Sequence, residues 1–150
     1  MSNKSASFAR LATLLCAVIA LVLPWAGAAQ AQAQVATRNR IVFQVSDAEP
    51  AKWHLTLNNI KNVQTDLGAK NVEIEIVAYG PGLGMLKADS VAGNRVADAL
   101  AAGVSVVACE NTMKNQKITR EDMLPKIGYV EAGVVQLMKR QQQGWAYIRP

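Results

Sequence analysis

The sequence predicts an α/β fold in which a parallel sheet carries helices on both faces, giving three layers. Short apolar segments rich in β-branched residues alternate along the chain with longer segments whose apolar residues recur at helical spacing. Strands that alternate with helices are joined by crossover connections, which make neighbouring strands parallel. The third apolar segment, 104–109, is continuously apolar, as expected of a central strand that is covered on both faces.

The N-terminal residues are expected to lie outside this fold. Residues 1–28 have the three parts of a secretory signal peptide: a cationic start, an apolar run at 11–23, and a small-residue cleavage sequence ending at Ala28. The apolar run is shorter than the roughly 20 residues of a membrane-spanning helix, so no stable membrane anchor is expected. Residues 29–39 are polar and of low complexity, which predicts a flexible arm. We therefore expect a periplasmic protein with one domain, residues 40–150.

Charge and residue content exclude several classes of function. The formal net charge is +5, but part of it belongs to the signal peptide. No basic stripe is interleaved with aromatic residues, so nucleic-acid binding is not expected. His54 is the single histidine, and one histidine without clustered cysteines or carboxylates does not make a metal site. We expect His54 on the solvated surface, and we predict neither a metal ion nor an organic cofactor.

The first half of the domain is predicted to be a strand, a helix and a second strand. Residues 40–47 form the first strand. The helix begins near Pro50, which suits a first turn, and ends at Gly68. The second strand, 72–80, alternates apolar residues with glutamates at its start. This alternation predicts one wet face and a position at the edge of the sheet.

The predicted elements then continue to the end of the chain in the same alternating manner. In order, they are a glycine-rich loop at 80–84, a helix capped by Asp89 or Ser90 and ended by Gly103, the strand 104–109, a polar turn, a short helix capped by Thr119, a brief strand at 127–130, a last helix ended by Gly144, and a final strand at 145–148.

Three of the predicted loops leave the carboxyl edge of the parallel sheet, where proteins of this class bind their ligands. If the strand order is 2-1-3, as in a flavodoxin-like topology, the first and third strands are neighbours and Asp47 lies near Cys109. The candidate pocket or anion-binding residues are the polar and glycine residues of these loops: Asp47, Gly80, Gly82, Glu110, Asn111 and Thr112.

Cys109, at the end of the third strand, is the candidate reactive residue. The chain has two cysteines, and Cys16 is expected to leave with the signal peptide, so the mature protein cannot form an internal disulfide. A single remaining cysteine is a buried inert residue, part of an intermolecular bridge, or a reactive thiol. Backbone amides of the following turn would lower the pKa of the thiol, whereas the carboxylate of Glu110 would raise it.

The glycine-rich segment Gly80–Gly84 differs from known phosphate-binding loops. It lacks the terminal Lys-Ser/Thr pair and has neither the glycine spacing nor the position of a dinucleotide fingerprint. We predict a tight turn in which two backbone segments approach closely, a role that glycine permits. The alternative is a nest of amides that binds a small anion near Cys109.

Four segments together resemble the DsrE/DsrF-like family, and in particular its short exported members. The resemblance extends from Arg40 to Pro150. The segments are IVFQVSDAEPAKWHLTLNNIKN at 41–62, VEIEIVAYGPGLGML at 72–86, GVSVVACENTMK at 103–114, and GVVQLMKRQQQGWAYIRP at 133–150.

This resemblance implies both a fold and a function. The fold would be a DsrE-type parallel α/β sheet, commonly assembled as a homotrimer or hexamer. Cys109 matches the cysteine that carries sulfur as a persulfide in members with a known role in sulfur relay or oxidation. A sulfur donor or acceptor protein would then be a partner. The alternative is a non-catalytic oligomeric module that binds a small molecule or partner, with Cys109 structural.

Overall fold

The computed structural model of the protein describes residues 38–150. The predicted signal peptide and the predicted arm as far as residue 37 lie outside the described residues. The strands are β1 Asn39–Val45, β2 Val72–Ala78, β3 Ser105–Cys109, β4 Gly128–Val130 and β5 Ala146–Ile148. The α-helices are α1 Pro50–Leu67, α2 Gly93–Ala101, α3 Glu110–Gln116 and α4 Gly133–Gln142, and short 3-10 helices span Ala69–Asn71, Gly80–Leu86 and Arg120–Asp122.

The described strands form one five-stranded sheet in the order β4-β3-β2-β1-β5. Every neighbouring pair is parallel. Helices cover both faces of this sheet, so the predicted α/β fold class with three layers is confirmed. All five strands end at the same edge, and the loops that follow β1, β2, β3 and β4 therefore lie side by side.

The direction in which strands are added explains which helices share a face. From β1 to β4, each new strand joins the sheet on the same side of the preceding strand. Right-handed crossovers then place α1, α2 and α3 together on one face. The chain reverses direction after β4, because β5 joins the sheet beside β1, and this reversal places α4 on the opposite face.

The buried side chains follow the same division. On the first face, Phe43 and Ile76 of the sheet belong to one apolar cluster with Leu57 of α1, Val96 of α2 and Met113 of α3. The opposite face carries a separate and smaller cluster. Its buried members are Val42, Val77, Val107, Leu137 and Trp145.

The strand order differs from the 2-1-3 order considered above. β2 lies between β1 and β3, so β1 and β3 are not neighbours. The edge position predicted for the second strand was wrong for the same reason, since β2 is the central strand. Its Glu75 is only 1% exposed, and its carboxylate receives a hydrogen bond of 2.6 Å from Arg140. Glu75 fits the alternating pattern of an edge strand, but it forms a buried ion pair with Arg140, which lies 65 positions further along the chain.

The third strand is covered on both faces, as its continuous apolar pattern predicted. Val106 and Ala108 of β3 face the larger cluster, and Val107 faces the cluster under α4. The centre of the sheet, however, is β2 rather than β3. The polar turn predicted after Cys109 is a helix instead, because α3 begins at Glu110.

One helix start differs from its predicted position, and the cap predicted at Thr119 is present. The helix expected from Asp89 or Ser90 begins at Gly93, so Val91 lies before the helix and is 71% exposed. Ser90 still accepts a hydrogen bond from the amide of Ala92 at 3.2 Å. Thr119 caps a 3-10 helix through a reciprocal capping box with Asp122.

Candidate functional site

Cys109 lies at the point in the sheet where two successive helices, α3 and α4, pack on opposite faces. It is the last residue of β3, and α3 starts directly after it on the face shared with α1 and α2. The adjacent strand β4 ends at Val130, and its helix α4 begins at Gly133 on the other face. Diverging connections leave a crevice between the carboxyl ends of two parallel strands, and α/β proteins bind ligands in such crevices.

The thiol is enclosed within this crevice. Cys109 is 5% exposed, and its Sγ lies 3.7 Å from the backbone carbonyl oxygen of Glu131. The same carbonyl accepts a hydrogen bond of 3.0 Å from the amide of Asn111. The loop after β4 and the first turn of α3 are therefore held together beside the sulfur atom.

Two opposing effects act on the pKa of the Cys109 thiol. Burial is the largest single effect and raises the pKa, because it disfavours the charged thiolate. The side chain of Thr112 and the backbone amides of Gly133, Thr112 and Asn111 form hydrogen bonds that lower it. These bonds together outweigh burial, so the pKa of Cys109 lies below its ordinary value.

Thr112 connects the thiol to the segment that follows β2. Its hydroxyl oxygen accepts a hydrogen bond of 3.0 Å from the amide of Gly80, which leaves the hydroxyl proton available to the sulfur. A hydroxyl that accepts one hydrogen bond is polarised and donates another more strongly. Gly80 has a positive φ of 53°, a conformation that glycine adopts without strain, and its carbonyl accepts a bond of 3.2 Å from Gln116.

The structure thus brings together four of the predicted site residues. Cys109, Asn111, Thr112 and Gly80 form one hydrogen-bonded group at the carboxyl ends of β2 and β3. Glu110 lies next in sequence, but its carboxylate binds Arg120 at 2.5 Å. The guanidinium of Arg120 in turn lies 4.3 Å from the centroid of the Tyr129 ring. Glu110 therefore forms a surface ion pair rather than a contact to the thiol.

Gly82 packs against the end of β1. A Cβ atom at this position would lie 2.4 Å from the carbonyl oxygen of Val45, which is closer than real Cβ atoms approach. The close backbone approach predicted for the glycine-rich segment is therefore present, although the segment Gly80–Leu86 is a 3-10 helix and not a loop. The contacts of Gly82 assign it a packing role beside β1.

Asp47 does not lie beside Cys109. It follows β1, which β2 separates from β3, and the predicted proximity depended on the strand order 2-1-3. The carboxylate of Asp47 binds Arg149 at 3.2 Å, and its backbone carbonyl accepts a hydrogen bond of 2.8 Å from the indole of Trp53. Asp47 therefore connects the end of β1 to the C-terminal residues and to α1.

Two residues that sequence reasoning missed complete the surroundings of the thiol. The register that pairs Ala78 with Ala108, continued by one residue, places Tyr79 beside Cys109 on the same face. Burial and the nearby Tyr147 raise the pKa of Tyr79. A Cβ on Gly133 would lie 3.0 Å from the Cβ of Tyr79, so α4 starts in close contact with the end of β2.

The position of Gly133 in the sequence was a signal that its amide could serve as a donor at the site. It follows the brief fourth strand and opens the last helix, where the first amides of a helix have no intrahelical partner. One of these amides is the donor that reaches the Cys109 thiol. Tyr79 carried no such signal, because its place beside Cys109 depends on the strand order.

His54 lies in the contact between α1 and α2 instead of on the open surface. It is half-buried, and its Nδ1 lies 3.0 Å from a guanidinium nitrogen of Arg95. Arg95 also donates a hydrogen bond of 2.7 Å to Asn58. These partners assign His54 to a helix–helix contact and not to the thiol.

Within residues 38–150, no three side chains of His, Cys, Asp or Glu lie close enough together to hold a metal ion. No helix in the same range combines the length and apolar character needed to cross a membrane.

Comparisons with known proteins agree with the fold. The model of the DsrE/DsrF-like family matches residues 3–150. A protein of unknown function from Methanobacterium thermoautotrophicum, MTH1491, is 35% identical in sequence, with a TM-score of 0.72 over 75% of this chain and 99% of that one. A search of curated proteins finds no match.

Two further solved structures are similar in fold alone. BT1422 from Bacteroides thetaiotaomicron, a conserved protein of unknown function, is 12% identical, with a TM-score of 0.64 over 77% of this chain and 98% of that one. The ychN protein from E. coli is 11% identical, with a TM-score of 0.63 over 75% of this chain and 99% of that one.

Proposed function

The chain belongs to the DsrE/DsrF-like family, and we propose that it is a sulfur carrier or sulfurtransferase-like protein that holds sulfane sulfur as a persulfide on Cys109. The observation that carries this proposal is the set of hydrogen-bond donors around the thiol. Donors from α3, including the hydroxyl of Thr112, and from α4 lower the pKa of Cys109 despite burial. A cysteine with packing as its only role does not need donors of this kind.

The proposed step is a displacement at sulfur. The thiolate of Cys109 attacks the sulfane sulfur of an anionic donor such as thiosulfate or a polysulfide. A new sulfur–sulfur bond forms, and the bond between the sulfane sulfur and the rest of the donor breaks. The electron pair of that bond leaves with the departing group, which is sulfite when thiosulfate is the donor. Charge and electrons balance, so no external oxidant or reductant is required.

The same donors suit the product of this step. A persulfide carries its negative charge on the outer sulfur, one bond beyond the sulfur of the thiolate. The hydroxyl of Thr112 and the amide of Gly133 approach the thiol from different elements. The negative charge of the persulfide can therefore stay within hydrogen-bonding distance of these fixed donors, which stabilise it without reorganisation.

The cysteine content of the chain also favours a carrier. Cys109 and Cys16 are the two cysteines of the sequence, and Cys16 belongs to the proposed signal peptide. A mature chain with one thiol cannot convert its persulfide into an internal disulfide. The sulfur would therefore remain bound until an acceptor takes it.

A second candidate function rests on the burial of the same residue. Cys109 is only 5% exposed, as expected of a cysteine that packs in a protein interior. In that case the protein is a non-catalytic module that binds a small molecule or partner at this edge. The two candidates differ in whether the folded protein reacts with a sulfane-sulfur donor.

Intact-mass spectrometry distinguishes the candidates. Folded wild-type protein and Cys109→Ser are each exposed to polysulfide or to thiosulfate and then analysed with and without reductant. We expect wild type to gain the mass of one sulfur atom, reversibly, and Cys109→Ser to gain nothing. If folded wild type gains no sulfur while its denatured thiol reacts, the carrier function is wrong and the binding module is the better account.

We also propose that the protein is exported to the periplasm and begins near Ala29. The three-part signal sequence of residues 1–28 supports this proposal. N-terminal sequencing of protein from a periplasmic extract should find a chain without Met1. Retention of Met1 in a membrane fraction would contradict export.

Assembly into a homotrimer or hexamer is a further proposal. Val134, Val135 and Met138 on α4 are 57%, 40% and 48% exposed, which places three apolar side chains on the outer surface of one helix. Such a surface suits contact with another copy of the chain, and symmetric closure is the usual arrangement of identical subunits. Light scattering should give a mass of three or six chains, and a single-chain mass at micromolar concentration would contradict assembly.

A further inference from the structure

Glu75 is a buried carboxylate that the proposed chemistry does not use. It lies in the middle of the central strand β2, and its side chain is 2% exposed. Arg140 donates two hydrogen bonds to it, of 3.0 Å and 2.6 Å, and Gln136 donates one of 2.8 Å. A buried charge requires such partners, because an unpaired carboxylate in a protein interior is strongly unfavourable.

Two of the partners of Glu75, Arg140 and Gln136, belong to α4, which starts beside the thiol. The third is the hydroxyl of Ser105 on β3, which donates a longer bond of 3.4 Å. Gln136 and Arg140 are one turn apart on this helix, so they face the sheet together. The segment leading into this helix contacts the sulfur atom, because the carbonyl oxygen of Glu131 lies 3.7 Å from Sγ of Cys109. Gly133, the first residue of α4, supplies an amide donor to the same thiol. Glu75 is therefore connected to the thiol through a single rigid element.

Besides these bonds, α4 packs on the sheet through Gly133, which lies against Tyr79, and through Leu137. Among the described residues, Leu137 is the one residue of α4 in the buried apolar cluster between this helix and the sheet. Arg140 is held from a second side, because its guanidinium lies 4.4 Å from the centroid of the Trp145 ring. The polar contacts with Glu75 are thus a large part of what fixes the position of α4 along its axis.

We propose that Glu75 is a positioning residue for Cys109, acting through Arg140 and Gln136 to hold α4 where the amide of Gly133 reaches the sulfur. This inference rests on the proposed function, since it assigns Glu75 a role at the same thiol. A helix advances 1.5 Å per residue, so a displacement of α4 by one residue is enough to remove a hydrogen bond at its first turn. The directional bonds of a carboxylate to a guanidinium resist such a displacement better than apolar contacts do.

Three variants test the proposal with different risks to folding. Glu75→Gln with Arg140→Gln removes the ion pair without leaving a buried charge. Gln136→Ala removes one bond to Glu75 and places a good helix former in α4, so this variant should fold. Glu73→Gln is the matched control, because it makes the same change on the same strand at an exposed ion pair with Arg38.

The measurement is the pH dependence of alkylation of Cys109 by a small neutral reagent in each folded variant. We expect the midpoint of the profile to rise in the double variant and, by less, in Gln136→Ala. At neutral pH the double variant should react about three- to tenfold more slowly than wild type, because fewer of its thiols are ionised. Glu73→Gln should match wild type.

A merely structural role for Glu75 predicts a different result. The double variant, or Gln136→Ala if the double variant does not fold, would then melt at a changed temperature and show the wild-type pH profile. That result would overturn the inference. Alkylation does not depend on persulfide formation, so a shifted profile without sulfur uptake would contradict the carrier function and leave the positioning role intact. Sulfur uptake together with unshifted pH profiles would support the carrier function and contradict the positioning role of Glu75.

Discussion

The two faces of the sheet are held in different ways. Among residues 38–150, 22 buried residues form the apolar cluster on the face that carries α1, α2 and α3. Five form the cluster on the face that carries α4. The smaller cluster is supplemented by the buried contacts of Glu75 with Arg140 and Gln136.

The two faces therefore contribute differently to the stability of the fold and to the chemistry at the thiol. Burial of apolar surface is the main favourable contribution to folding, and the larger face supplies most of it. The α4 face adds less apolar burial but places directional polar contacts under a helix that starts at the thiol. The crevice at Cys109 lies where the two faces meet, between α3 from one and α4 from the other. Changes on the two faces should therefore have different effects on the protein.

The largest effect on stability is expected from Phe43→Ala on the larger face. Phe43 is fully buried, and removal of a buried phenylalanine ring costs about 3–5 kcal/mol of unfolding free energy. Phe43 lies on β1, which β2 separates from Cys109, so the alkylation profile of the folded variant should match wild type. Chemical denaturation and alkylation measure the two quantities. A shifted alkylation midpoint would contradict the separation of the faces.

A smaller loss of stability, with a change at the thiol, is expected from Leu137→Ala on the α4 face. Leu137 is 4% exposed, and its small cluster leaves more freedom to relax, so we expect about 2–3 kcal/mol. The start of α4 should then be less well fixed, and the pKa of Cys109 should rise. The same two measurements apply. An unchanged pKa would show that α4 holds Gly133 in place without its apolar contact.

Thr112→Val should alter the thiol more than the fold. The substitution keeps the shape of the side chain but removes a hydroxyl that bonds both Gly80 and Cys109. Loss of one such hydrogen bond costs about 0.5–1.5 kcal/mol. The pKa of Cys109 should rise and its alkylation at neutral pH should slow. Thr112→Ser, which retains the hydroxyl, is the control and should stay close to wild type.

The smallest effect is expected in the dependence of stability on pH. Because hydrogen bonds lower the pKa of Cys109 in the folded protein, the folded chain loses this proton at a lower pH than the unfolded chain. The resulting stabilisation is fully present above the unfolded pKa of about 8.5 and is lost as the pH falls through the folded pKa. Unfolding free energies of wild type and Cys109→Ala should therefore diverge as the pH rises through neutrality, then run parallel. A constant difference would contradict the lowered pKa.

The sequence was sufficient for the fold class because periodicity reports which residues are buried. Continuous apolar runs and helical spacing identified every strand and α1, and the glycines at 68, 103 and 144 lie just beyond helices. Strand order was not accessible in this way. Alternation in β2 suggested an edge, since the sequence does not indicate that Arg140 lies over Glu75.

The site could be predicted only where it is local in sequence. Cys109, Asn111 and Thr112 share one strand end and one helix start, and they meet as expected. Asp47 was misplaced because its proximity depended on a strand order. Tyr79 and Gly133 were missed because three separate strands must assemble before they adjoin the thiol.

The central claim is that Cys109 is a reactive thiolate in the folded protein, and its rate of alkylation at neutral pH tests this claim most directly. A small neutral reagent is added to folded wild type and to the same protein unfolded in denaturant. We expect the folded protein to react at least as fast as the unfolded one, because more of its thiol is ionised. A thiol that reacts more slowly in the folded protein, or only after unfolding, would contradict the account and identify Cys109 as a packed residue.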